Sequence, residues 1–467
     1  MATPPRSLFF CLLVLALLMI VVRFVALDVA PPGFFIDEAA GAANVLCLRE
    51  TGAGELGDRW PLFFAAYDRT FGAFFTAPYV YPVAAWTAVF GDSVAAFRAF
   101  SAFVSVLGLA GLFALGSLIG DRLLGWLCLL VGALSPTLFQ FARIAWDPAI
   151  LPALLVWATF FALRSNRLRD AAMGGLLFAL AAHAYPPARA QLIALLPALA
   201  LFKWRRAGFD ARFAVAFAVV LAIVAAPLVY QTLTGALQGR FRAISAFAPE
   251  FLKQHYGSSN PLYGLVAMAK NLYWHLTPKY LFFRGDNNLR HGTQLTGVLG
   301  GLEILALVFL LLGAVRFKSR FLSFGAVCLV GYLAADLASA ATRDLTPNAL
   351  RAIGGAPFAV MLAAMILREA VDRFRAAPVA ITIVAWVFAG YFLWAYFVKY
   401  PASAHDVFNA SLGESARATL PAGNWQAFLA QNRGTLSSAL HYHLMVEGHQ
   451  SCLESEARLR DAGWTAP

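Results

Sequence analysis

Residues 8–40 read LFFCLLVLALLMIVVRFVALDVAPPGFFIDEAA. The run from Leu8 to Val22 is apolar throughout, and after Arg23 it resumes before turning polar at Asp28. A membrane span needs roughly 20 largely apolar residues. A cleaved signal peptide would also begin this way, and Ala26 to Ala30 loosely resembles a cleavage site. The resumption after Arg23, whose long side chain can snorkel, favours an uncleaved first span. The chain then turns through Pro31-Pro32-Gly33 and presents two adjacent carboxylates, Asp37 and Glu38, at the membrane's edge. Such a pair can be a helix N-terminal charge pair, favourable with the helix dipole. It can equally supply a general base facing a membrane-embedded cavity.

The rest of the chain extends the membrane reading. Of 467 residues, 60% are hydrophobic and 13% charged, and mean hydropathy is +0.68. Soluble domains carry about a quarter charged residues, so an ordinary cytosolic enzyme is excluded. The net charge of +11 would suggest nucleic acid in a soluble chain; here it reflects basic residues at membrane boundaries. Clusters occur at Arg164/Arg167/Arg169, Lys203/Arg205/Arg206/Arg212, Arg316/Lys318/Arg320 and Arg368/Arg373/Arg375. With Arg6 and Arg122 they place 15 basic residues on one side, against Arg143, Arg189, Arg343 and Arg351 in the alternate short connections. The positive-inside rule then sets the N-terminus and the clusters in the cytoplasm.

After the first span, further spans are expected at 97–120, 123–140, 149–164, 171–184, 188–203, 211–230, 295–315, 321–341, 353–371 and 378–398. The expected architecture is an all-α polytopic membrane protein of about eleven spans over 1–399, with an external C-terminal tail at 400–467. Ala73–Gly91 carries Pro78, Pro82 and several Tyr and Trp residues, so it reads as a juxtamembrane or re-entrant element within a first outer loop, 31–96. A second outer loop, 231–292, carries Arg240, Arg242, Lys253, Lys279, Arg284 and Arg290 against the charge rule, which raises the question of what anion sits there.

Walker sequences are absent. Gly52-Ala53-Gly54-Glu55-Leu56-Gly57 matches a dinucleotide pattern without a strand–turn–helix context, so it reads as a glycine-rich turn. Cys11, Cys128 and Cys328 fall in spans, while Cys47 and Cys452 both fall outside and could pair. His441 and His443 lack metal-ligand spacing and read as solvated tail residues.

Four polar clusters fall on one side of the membrane: Asp37-Glu38; Gln140 to Pro148, with Arg143 and Asp147 four residues apart; His183-Ala184-Tyr185-Pro186-Pro187-Ala188-Arg189; and Thr342-Arg343-Asp344 through Arg351. Each has a plain structural reading, such as an Arg143–Asp147 pair across a helix turn or an interfacial Tyr185/Arg189 anchor. Their common sidedness favours a shared site.

Together with Tyr79/Tyr81, Phe90-Gly91 and Arg98, the order of these clusters over about residues 8–230 resembles the GT-C membrane glycosyltransferases. It is most similar to the bacterial relatives of protein O-mannosyltransferases and lipid A aminoarabinose transferases (glycosyltransferase families 39 and 83). Many relatives carry a Lys before a Pro-Pro pair where this chain has Tyr67-Asp68-Arg69-Thr70. The resemblance implies transfer of a sugar from a polyprenyl-phosphate donor to an extracytoplasmic glycan, lipid or protein acceptor, in a bacterial inner membrane. A phosphate leaving group departs as an anion, so one carboxylate base suffices where glycosidases typically use two. Asp37 is assigned as base for the acceptor hydroxyl, with Glu38 as helper or substitute. Arg143, Arg189, Arg343 and, from the long loop, Lys253, His255, Tyr256, Lys279 and Arg284 are candidate phosphate ligands; His183 and Tyr185 join the substrate-binding set. Asp147 is expected to orient Arg143. No cofactor is demanded, although Asp37 and Asp147 could share a divalent metal. The alternatives are a transporter or flippase of lipid-linked saccharides, or a non-catalytic assembly subunit on the same fold.

Overall fold

The computed structural model describes residues 6–67, 73–235, 243–313, 319–343 and 346–464. Asp68, Arg69, Thr70, Arg240, Arg242, Arg316, Lys318 and Asp344, named above, lie outside the described residues, as do the side chains of Arg6 and Arg320. Among the described residues seven helices are long and apolar enough to cross a membrane: Ser7–Phe24, Val94–Ile119, Asp147–Arg164, Ala211–Leu233, Phe321–Ala340, Ile353–Arg373 and Ala377–Ala404. The other four expected spans are helical but shorter or more charged. Arg122–Leu134 and Gly301–Leu311 are short apolar helices. Leu168–Ala184 has 17 residues, and Pro186–Ala207 carries Arg189 near one end and Arg205 and Arg206 near the other. The chain is an integral membrane protein, and among the described residues the regular structure is helical apart from one small hairpin.

Local chemistry explains the breaks. Ser93 and Asp121 cap the helices that follow them by accepting from the amides of Ala96 and Leu124, as N-cap side chains do. Asp121 also receives Arg368, at 2.8 Å from its Nη2, which ties two helix ends together. The expected span 123–140 is interrupted at Ser135, because Pro136 cannot donate to the preceding turn and instead starts a new helix, Pro136–Phe141. Helices Val94–Ile119 and Arg122–Leu134 pack closely through glycine: a Cβ on Gly125 would lie 2.6 Å from the Phe113 carbonyl oxygen. Small residues permit such approaches where lipid offers no hydrophobic drive.

Arg23 departs from the snorkelling expectation. It is fully buried and donates to the carbonyls of Met19, Gly132 and Ala133. The ends of two helices leave backbone acceptors unsatisfied there, and the guanidinium meets them where water is scarce.

In the first outer loop, helices Ile36–Thr51 and Ala77–Phe90 flank an antiparallel hairpin, Phe63–Ala65 with Phe74–Thr76. The hairpin is the one strand structure among the described residues and was not expected from an all-α reading. The tail folds into helices, among them Ala410–Thr419, Ser437–Val446 and Cys452–Asp461, and packs on Ile36–Thr51. A disulfide joins Cys47 to Cys452. Beside it His441 Nδ1 lies 3.1 Å from Glu55 Oε1, both side chains fully buried, and the Cys452 amide donates to Glu50. His441 and His443 are therefore core residues, contrary to the solvated reading, because the docked tail covers them. Burial, with the charge of Arg417, pushes the His443 imidazole down to about 3.

Candidate active site

The site is built from the N-terminus of Ile36–Thr51. Gly33 takes φ +66°, and a Cβ there would lie 2.5 Å from the backbone of Phe408 and Ala410 in the tail. Only glycine lets this turn sit against that backbone. The turn delivers Asp37 and Glu38 in opposite directions. Asp37 lines a cavity of about 400 Å³, whereas Glu38 points into the protein and is buried.

Glu38 is the centre of a closed network. Arg98 donates Nε to its Oε1 at 2.8 Å and Nη2 to its Oε2 at 2.7 Å. The remaining Arg98 donors go to the carbonyls of Leu27, Pro31 and Gly33. That uses all five guanidinium N–H groups. Glu38 also accepts from the amides of Phe35 and Ala145. The expectation that Glu38 helps or replaces the base is corrected: its lone pairs are engaged away from the cavity. By gripping Ala145 it holds the 143–147 turn in register with the helix that carries Asp37.

Arg143 is corrected in the same way. Its guanidinium donates to the carbonyls of Val22, Arg23, Val25, Ala26 and Ala30, where the chain leaves the first span irregularly. Backbone at membrane depth must be satisfied by protein, and Arg143 does this. Asp147, expected to orient Arg143, instead lines the cavity together with Asp37.

The other walls come from three places. His183, Tyr185 and Arg189 sit at the junction of Leu168–Ala184 and Pro186–Ala207, and all three line the cavity. His183 Nε2 lies 3.0 Å from the Val224 carbonyl, which places its proton there, and the ring stacks on Phe63 of the hairpin at 5.7 Å. Arg189 Nε donates to the Ala182 carbonyl at 3.2 Å. Thr342 and Arg351 also line the cavity, joined by a 2.6 Å bond from Arg351 Nη1 to Thr342 Oγ1. The lining cations among the described residues are thus His183 when protonated, Arg189 and Arg351, and the lining carboxylates are Asp37 and Asp147. That carboxylate pair is where the cavity could hold a divalent cation. Much of the remaining lining is apolar, including Phe74, Phe75, Trp146 and Ile193. Ile193 is 77% exposed, so the cavity opens at the surface of that helix.

The long-loop candidates lie elsewhere. Lys253, His255, Lys279 and Arg284 are exposed, Tyr256 stacks on Tyr263 at 5.1 Å, and the Arg343 guanidinium lies over Phe251 at 5.6 Å. None of the six lines the cavity. Two arginines outside the expected ligand set stand closer to the carboxylates: Arg351 lines the cavity, and Arg290, which does not line it, interacts with Asp37. Arg351 belongs to the fourth cluster but not to its expected ligand. Arg290 comes from the long loop: its guanidinium lies 4.0 Å over the Phe35 ring, two residues from Asp37. Burial lowers the pKa of Arg290 and the Asp37 charge acts to raise it, which locates the two side chains within electrostatic reach.

Cys47, Cys452 and His441 also fall within 4.8 Å of one another. The two sulfurs are bonded to each other and His441 is engaged by Glu55 and the Cys452 carbonyl, so in this oxidised form the thiolates a metal would need are absent.

No protein-family model matches the chain, and no curated protein matches its sequence. Solved structures do match. The chain is similar to the Archaeoglobus fulgidus oligosaccharyltransferase in complex with Zn and sulfate, with a TM-score of 0.52 and 15% identity over 90% of this chain and 56% of that one. It is also similar to ArnT from Cupriavidus metallidurans, in the apo state at TM-score 0.51 and 16% identity over 95% of this chain and 76% of that one. The ArnT structure bound to undecaprenyl phosphate gives 0.50 and 15%, over 96% and 79%. The chain spans little more than half the length of the oligosaccharyltransferase. At these identities the shared feature is the fold, that of the helical membrane proteins named here.

Proposed function

We propose that the chain is a membrane glycosyltransferase that moves a sugar from a polyprenyl-phosphate donor to a hydroxyl acceptor, with Asp37 as the base. The observation that carries this reading is one cavity with Asp37 on its wall, Arg189 and Arg351 beside it, and an apolar side that opens at the surface of the helix carrying Ile193. The undecaprenyl phosphate named in the ArnT complex supports the donor class by analogy of fold. In the reaction the acceptor oxygen attacks the anomeric carbon while the bond from that carbon to the phosphate oxygen breaks. Asp37 takes the acceptor proton, and the phosphate leaves as an anion stabilised by guanidinium groups, which suit bidentate phosphate contacts. Direct displacement inverts the anomeric centre. Should a divalent cation bind, Asp37 and Asp147 would hold it, and it would supply further charge stabilisation for the departing phosphate.

The membrane is read as a bacterial inner membrane with the cavity outside. The Cys47–Cys452 disulfide supports that placement, since such bonds persist in oxidising compartments. Purified protein incubated with a radiolabelled polyprenyl-phosphate sugar should consume the donor, and Asp37→Asn should abolish consumption while membrane insertion is kept. Wild-type turnover by that variant overturns the base assignment; a native protein that moves lipid-linked saccharide across vesicles without consuming it is a transporter. A reporter fused after Lys203 should read cytoplasmic and one after Lys399 external; the reverse pattern overturns the orientation.

A further inference from the structure

The long-loop cations that miss the cavity surround a different surface. Helix Leu262–His275 is fixed to the protein along one side. Asn271 Nδ2 donates to the carbonyls of Ala340 and Thr342, at 3.0 and 2.8 Å. His275 bonds Ser339 Oγ through Nε2 at 2.8 Å. Gly264 and Ala267 complete that buried side. These contacts are with the last residues of the span Phe321–Ala340, so the helix is held at the depth where that span leaves the membrane.

Its other side is apolar and faces away from the protein. Leu262 is 63% exposed, Val266 56% and Tyr273 62%; at intervals of four and seven residues these share one helical face. Tyr263, Lys270 and Trp274 recur at the same intervals along the edge of that face, and all three are exposed. Lys253 and Lys279, from the flanking segments, are exposed too. An apolar helical face edged by Tyr, Trp and Lys is what an interfacial helix presents to a bilayer. Aromatic rings favour the headgroup level, and clustered lysines there attract anionic lipid.

We infer that helix Leu262–His275 rests in the bilayer leaflet on the cavity side, with Lys253, Lys270 and Lys279 gathering anionic phospholipid headgroups around it. The partner is the lipid surface, and a row of lysines at headgroup depth gives it a charge preference. The contact is mechanically connected to the cavity. Thr342, whose carbonyl accepts from Asn271, offers its hydroxyl to Arg351 on the cavity wall. Residue 342 also bridges to Ser245, and the Arg343 amide donates to the Ile244 carbonyl; Ile244 itself lines the cavity. Headgroup composition is thereby linked to the wall that carries Arg351, whatever substrate the cavity takes.

The test uses the full chain with Val266→Cys labelled by a small fluorophore in a Cys11→Ser background, reconstituted in phosphatidylcholine–phosphatidylglycerol vesicles. Dibrominated phosphatidylglycerol or dibrominated phosphatidylcholine is added at one mole fraction as quencher. Both should quench the label, the anionic lipid more strongly. Lys253→Gln, Lys270→Gln and Lys279→Gln together should shrink that preference by at least ~5-fold, the effect expected of a single lysine near an anionic surface. A label at Arg433, exposed in the tail well beyond the end of the last span at Ala404, should be quenched far less than the one at Val266. Absence of quenching at Val266 overturns the inference, and so does self-quenching between labelled copies, which would make the face a contact between chains. Equal quenching by the two lipids in the native protein overturns the anionic preference.

Discussion

Adjacent carboxylates on one helix are expected to fail in opposite ways. Removing the Glu38 charge leaves Arg98, fully buried, without its counter-ion, and deprives the amides of Phe35 and Ala145 of their acceptor. Breaking a buried ion pair on one side typically costs about 3–5 kcal/mol, so Glu38→Ala should unfold at a much lower temperature or fail to accumulate. Glu38→Gln keeps the shape but turns one acceptor into a donor. Oε2 faces the Phe35 amide and Arg98 Nη2, and Oε1 faces the Ala145 amide and Arg98 Nε. Whichever way the amide is turned, it meets donors with a donor, at a cost of about 1–3 kcal/mol. Asp37→Asn leaves that network untouched and should unfold like the native protein, while transfer falls by about 10²–10⁴, the usual worth of a positioned base. Thermal unfolding of detergent-purified protein, followed with donor turnover, separates the two. A Glu38→Gln variant that keeps the native Tm but loses all turnover would refute the structural assignment of Glu38. So would an Asp37→Asn variant that unfolds early.

Among the arginines, Arg351→Ala should reduce turnover by about 10²–10³, as loss of one charge-stabilising donor does, while Arg343→Ala, outside the cavity, should leave turnover nearly unchanged; the opposite ranking in a donor-consumption assay would restore Arg343 as the phosphate ligand. Cys452→Ser should cost about 2–5 kcal/mol of stability and raise proteolysis of the tail, measured by the temperature at which the tail becomes cleavable. In that variant tail docking should also weaken with rising pH: burial lowers the His441 pKa, but the bond to Glu55 and its charge carry the net shift upward. A raised folded-state pKa gives stability that is full below pH ~6.5 and lost as pH climbs through the folded value, so a tail that tightens on alkalinisation contradicts the pair. Chelation by EDTA is expected to change turnover by less than ~2-fold, because two guanidinium groups already provide the charge a metal would supply; complete loss rescued by a divalent cation would assign Asp37 and Asp147 as its ligands.

Much of the frame was legible before any coordinates. Hydropathy located every helix that became a span, because lipid imposes one requirement on every segment within it. That Asp37 lies on a cavity wall agrees with its place directly after the first span. Glu38 was not legible, because the group that decides its role is Arg98, 60 residues on, and no local pattern distinguishes a buried carboxylate from its exposed neighbour. Arg143 misled for a related reason. Its spacing from Asp147 allows a helical pair, but the chain there is a turn, and the carbonyls that claim it belong to residues 22–30. His441 and His443 looked solvated because the helix that covers them is recruited by a disulfide from the far end of the chain. That Arg351 and not Arg343 lines the cavity depends on which way a short connection turns, which spacing alone does not give.

Five of the arginines fall into two kinds, and the distinction bears on how such sites are read. Arg23, Arg98 and Arg143 each donate to several main-chain carbonyls, and each sits where helices end or the chain runs irregularly. Irregular backbone at membrane depth leaves acceptors that water cannot reach, and a fork of five donors on a weakly hydrated cation meets them better than lysine can. An arginine near a membrane cavity is thus by default a backbone-satisfying group. Arg189 and Arg351 differ in what they hold and where they end. Arg189 donates to one carbonyl and Arg351 to one hydroxyl among their described bonds, and both border the cavity. Charge sign and sidedness alone did not distinguish Arg143 from Arg189 and Arg351. The carbonyl shells mark the three that hold the fold, while Arg189 and Arg351 are the two on the cavity wall that we propose for the donor phosphate, and those two are where loss of charge should be read in turnover before it is read in stability.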